Sequence, residues 1–94
     1  MPWDLKIEVY KINGSCPVYK KGDVFYIKSG FKLKSENAIC MHSLASIMPY
    51  YTALSHGVSA KELGLGENAA YVQCLDPCEQ TNGGTVVFEI TRSQ

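Results

Sequence analysis

The chain has no surplus of either charge. Nine basic residues balance nine acidic ones over 94 residues. Nucleic-acid binders need spare Lys and Arg to neutralise phosphates, so the balance argues against a nucleic-acid partner and against electrostatic docking on a bilayer. Long apolar runs are missing too: no stretch of about 18 apolar residues occurs, and no membrane-spanning helix is expected. The opening segment MPWDLKIEVY carries Asp4, Lys6 and Glu8 and has no apolar core, which is unlike a secretory signal. Together these point to the cytoplasm. No Ser-His-Asp pattern, phosphate loop or dinucleotide fingerprint is present, so an enzymatic role would depend on a metal.

What the chain does have is four cysteines: Cys16, Cys40, Cys74 and Cys78. In a reducing compartment that number suggests metal or redox chemistry before disulfides. The length predicts a single domain over residues 1–94. A domain of this size buries only about two thirds of its unfolded surface. A staple, a metal or a partner subunit would support so thin a core.

In DLKIEVYK, Leu5, Ile7 and Val9 alternate with polar residues, as in a half-buried strand. NGSCP breaks it, KKGD turns, and VFYIK is a second strand. The polar stretch SGFKLKSEN leads towards a helix, with Ser35 or Asn37 as candidate N-cap. Cys40, Leu44, Ile47, Tyr51 and Leu54 follow at helical spacing and fall on one stripe. Pro49 predicts a kink or a junction of two short helices. Gly57 is the expected stop. SAKELGLG reads as one more helical turn, with Ser59 and Glu62 in a capping-box pattern. AAYVQCL and TVVFEIT are the last two strands, the latter with Val86, Phe88 and Ile90 inward. The expected fold is α+β: a four-stranded antiparallel sheet with one Pro-kinked helix on one face, in the order ββαββ.

Three thiols are expected to meet at one edge of this sheet. Cys74 shares a strand face with Val72. Cys40 sits at the helix start, where free N–H groups and the helix dipole favour a thiolate. Cys16 lies in the first loop, next to Pro17, which can stiffen the segment presenting the sulfur. Each also has a plainer reading, since a free cysteine often packs as a small hydrophobe. Cys78 is a candidate fourth ligand, a resolving thiol or a bystander; its C-x₃-C spacing from Cys74 is not that of a zinc knuckle. Asp76 and Glu36 are carboxylates expected near the site, Asp76 first of all as a turn residue. His42 projects about 200° from Cys40 on a helical wheel and is expected at the surface or a subunit interface. His56 is expected to interact with the helix C-terminus. Lys28, Lys32 and Lys34 read as a solvated strand face.

The segments GSCPVYKKGDVF, AICMHSLASIMPYYTALSHG and VQCLDPCEQTNGGTVVFEI resemble a family of small bacterial and archaeal proteins with three recurring cysteines. The pattern is a Cys-Pro element after the first strand, a cysteine opening the helix, and C-x-D-P before a closing VVFEI strand. The resemblance implies that Cys16, Cys40 and Cys74 act as a unit, that Cys78 is an addition, and that such proteins are common in anaerobes. It implies no reaction.

Three functions compete. The first is a cysteine-ligated site: a [4Fe–4S] cluster held by Cys16, Cys40 and Cys74 with one iron left open, or zinc as the alternative. The second is an interaction module whose cysteines are core filler. The third is thiol redox through Cys74 and Cys78, disfavoured because nothing in that loop activates a thiol. A homo-oligomer is expected, since a neighbour could shield an exposed cluster, and a redox or enzyme partner is compatible with the first reading.

Overall fold

The alternating apolar residues form the strands expected of them. The computed structural model describes residues 2–93. Strand β1 is Asp4–Gly14, β2 Val24–Lys28, β3 Lys32–Lys34, helix α1 Met41–Ser55, β4 Ala70–Gln73 and β5 Gly84–Ser93. The strands build one sheet in the order β3-β2-β1-β5-β4, every pairing antiparallel. Leu5, Ile7 and Val9 of β1 and Val86, Phe88 and Ile90 of β5 are buried on its inner face. Val72 and Cys74, two residues apart, point the same way and are buried too. Tyr19 joins this core from the loop after β1. Its ring meets Phe88 edge-on at 5.4 Å between centroids, and Phe88 meets Phe25 at 6.1 Å.

The fold is α+β as expected, but the sheet has five strands rather than four, and the chain order is βββαββ. The additional strand, Lys32–Lys34, is three residues long and exposed throughout. It has no apolar face from which a period could be read. It forms because Ser29 and Gly30 both adopt positive φ, 57° and 86°, and Phe31 N–H closes the turn on Lys28 O at 3.1 Å. That is the geometry of the tight turns that match strand twist. Lys28 then lies opposite Lys32, and Tyr26 opposite Lys34, at the sheet edge.

A bulge in β1 decides which residues reach the core. Val9 pairs with Phe88, yet Lys11 pairs with Val87, which leaves Tyr10 as the extra residue. Strict alternation would place Ile12 on the outer face with Tyr10. The bulge returns Ile12 to the inner side, where it packs against the core.

Helix α1 packs on β1, β4 and β5 and continues through Pro49 as a single element. Ile47 and Leu54 are buried as the stripe predicts, and so are Ser43, Ser46 and Ser55. Each of these hydroxyls donates to a carbonyl three or four residues back, so a polar atom is buried without losing its partner. Among the described residues no helix is long and apolar enough to cross a membrane. Near Ser59 the cap bond exists, Glu62 N–H to Ser59 Oγ at 3.1 Å, but the segment is a turn rather than a helix.

A candidate cysteine-lined site

The helix does not begin where its polar prelude suggests. Ser35 and Asn37 bond each other in a local turn, and the N-cap is Cys40, with φ −76° and ψ 130°. A thiol is a weak capping acceptor, and Cys40 makes no side-chain cap bond. Tyr19 holds this position instead. Its hydroxyl accepts from Cys40 N–H at 2.9 Å and bonds Ser43 Oγ at 2.7 Å, while Ser43 donates to Cys40 O at 2.7 Å. With Ser43 committed as donor to Cys40 O, Tyr19 is the donor to Ser43. The result is a closed ring of bonds pinning the first turn of α1 to the Cys16–Tyr19 loop.

Tyr19 also reaches Cys16, its N–H pointing at Cys16 Sγ at 3.4 Å. On the far side that loop runs over Gly84. A Cβ at Gly84 would come within 2.7 Å of Ser15 C and 2.9 Å of Cys16 N, so only glycine admits the loop. In β4–β5, Val86 N–H points at Cys74 Sγ at 3.2 Å. Two of the four thiols are thus approached by backbone donors. Burial pushes the Tyr19 phenol above its ordinary value of 10.0, against the opposing pull of the bonds from Ser43 and Cys40, so it stays protonated and able to donate near neutrality.

These elements leave a cavity of about 140 Å³ lined by Cys16, Cys40 and Cys74, with Tyr19, His42 and Asp76 also on its wall. Pro17 lines it as well. Glu36 does not: it borders a different surface groove with Asp23, Tyr26 and Lys34. Cys78 stands outside the cavity, its Sγ near Asn13 O and Gly83 O, both at 3.6 Å. All four cysteines are free thiols.

His42 is the residue that sequence reasoning sent elsewhere. A helical wheel counted from Cys40 assumes that Cys40 is helical, and its extended backbone voids that count. His42 is solvent-exposed, as expected, yet it also lines the cavity. A short interval from a helix-opening cysteine was the only available signal. Asp76 caps its own loop, accepting from Cys78 N–H at 2.8 Å and from the Thr81 hydroxyl. The Thr81 bond first, then the Cys78 N–H, hold its carboxyl below the ordinary 3.8, and the charge of His42 acts in the same direction.

Among the described residues no three Cys, His, Asp or Glu side chains stand close enough to share one metal ion. A single zinc ion requires each sulfur at about 2.3 Å. The three cysteines instead line a common space of about 140 Å³. Comparison with protein-family models, with curated proteins and with solved structures finds no match to this chain.

Proposed function

We propose that this is a small iron–sulfur protein in which Cys16, Cys40 and Cys74 are the cysteine ligands of a [4Fe–4S] cluster. The observation that carries the reading is the shared cavity: a loop, a helix start and a strand end, far apart in sequence, each place a cysteine on the wall of one small space. The backbone N–H groups aimed at Cys16 and Cys74 fit the same role, since hydrogen bonds to the sulfurs tune such clusters. When bound, the cluster would supply one-electron chemistry, or a Lewis-acidic iron if its fourth position stays open. The residues of the chain would bind it, orient it through the Tyr19 ring of bonds and limit its contact with water. An oligomer belongs to this reading, because a second subunit would cover the mouth of the cavity.

Anaerobic purification with iron, sulfide and zinc analysis tests it. The expected result is a brown protein with near-equal iron and sulfide, in which Cys16→Ala, Cys40→Ala and Cys74→Ala each lose the metal and Cys78→Ala keeps it. Zinc without sulfide would replace the cluster by a zinc site. A colourless, metal-free protein prepared without oxygen would leave the cysteines as packing residues in an interaction module.

A further inference from the structure

The iron–sulfur reading leaves the fourth position of the cluster unassigned, and the inference here rests on that reading. Cys78 is the obvious fourth donor by sequence, but its sulfur faces Asn13 O and Gly83 O and the residue is absent from the cavity wall. The wall holds one other nitrogen donor suited to iron. His42 lies in the first turn of α1, two residues after the Cys40 cap, and lines the cavity with all three thiols. It is also exposed, so its ring can turn without disturbing the core.

A metal-bound histidine is normally held by an outer partner, a carboxylate, a backbone carbonyl or a water that receives its second ring N–H. Asp76 is such a group. It lines the same cavity as His42 and is fixed in place by Cys78 N–H and Thr81. We propose that His42 is the fourth ligand, giving a three-cysteine, one-histidine site, with Asp76 orienting the imidazole. A fourth protein ligand makes a closed site, suited to holding an electron rather than to binding a substrate.

The test is pulsed EPR on protein reconstituted anaerobically with ferrous iron and sulfide and then reduced by one electron. The wild type should show strong coupling to a histidine nitrogen, and histidine labelled with heavy nitrogen should change it. His42→Ala should keep the three thiols and lose the coupling, whereas His56→Ala and Cys78→Ala should retain it. The labelled wild type needs no mutation, so a misfolded variant cannot obscure the answer. A reduced cluster without histidine coupling, or one whose coupling survives His42→Ala, overturns the ligand assignment and leaves the three-cysteine reading standing. A wild type that takes up no iron overturns both.

Discussion

The two ends of α1 are finished in different ways. At the C-terminal end nearly every orphan carbonyl has a partner. Gly57 adopts φ 96°, and Val58 N–H returns to Ala53 O at 3.0 Å. Arg92 of β5 donates through Nε to Leu54 O at 2.9 Å and through its guanidinium to Val58 O, while Trp3 N–H reaches Ser55 O at 2.6 Å. His56 Nδ1 lies 2.9 Å from Thr52 O. Cationic Arg92 also suits the negative end of the helix dipole. The N-terminal end has a cysteine where serine or aspartate would serve better, and no acidic residue in its first turn. One end of the helix is thus closed by several bonds, and the other, without a side-chain cap of its own, is held by Tyr19 beside the cysteine-lined cavity.

The strongest way to break this contrast is to loosen the aromatic core that supports Tyr19. Phe88 is fully buried and touches Tyr19 and Phe25. Phe88→Ala should cost about 3–5 kcal/mol, read from the urea midpoint. Because Tyr19 loses its ring neighbour, amide exchange should quicken first around Cys40–Leu44. Equal quickening at Leu54–Val58 would erase the distinction between the ends.

Tyr19→Phe sharpens the contrast, since it keeps the ring and deletes only the hydroxyl. Cys40 N–H and Ser43 then lose a buried partner. The expected cost is about 1–3 kcal/mol, the desolvation of groups left unpaired. Exchange protection should fall at the N-terminal turn and hold near Arg92. The ring of bonds also makes an alkaline prediction. The folded phenol titrates above its ordinary 10.0, so its contribution to stability is complete below that value and is lost as pH rises through the raised one. Tyr19→Phe should remove that part of the alkaline loss.

A third change tests whether stability was exchanged for a sulfur. Cys40→Ser supplies a true N-cap oxygen to a residue already in cap geometry. The protein should gain about 0.5–1 kcal/mol and, under the proposed cluster, fail to take up iron. Destabilisation would mean that the sulfur's packing outweighs a cap. Retained iron would remove Cys40 from the site.

Much of this architecture was legible because burial writes itself as periodicity. Leu5, Ile7 and Val9, and Val86, Phe88 and Ile90, alternate because they line one face, and Cys74 could be placed on that face by parity from Val72. The edge strand Lys32–Lys34 was illegible for the converse reason: its pairing is backbone-driven and buries no side chain, so only the Ser29-Gly30 turn marked it. The cavity wall was half legible. Cys16, Cys40 and Cys74 stand out by residue type, and Pro17 and Asp76 by adjacency. Glu36 failed because nearness in sequence to a helix start says little when the intervening segment turns away. The exposure of His42 was read correctly, but its place on the cavity wall was missed because the angular count began on a residue with extended backbone. Tyr19 carried no chemical signal at all; its role comes from a tertiary bond to a residue 21 positions away.

The smallest expected effect concerns the turn that keeps Cys78 out of the cavity. Asp76 is the hub of that turn, bonded to Thr81 and Cys78 N–H, and its folded value lies below the ordinary 3.8. A carboxylate of depressed value contributes stability that is fully present above its unfolded value and is lost as pH falls through the folded one. The Cys78 amide should therefore keep its chemical shift and slow exchange from neutrality down to about the ordinary value for aspartate, near pH 3.9, and loosen only below it. Asp76→Asn should loosen the turn even at neutral pH while leaving the Arg92 end of α1 untouched. A Cys78 amide that already moves between neutral and mildly acidic pH in the wild type would show that another group holds the turn. In that case nothing in the Asp76 bonds would keep the fourth thiol from reaching the cavity.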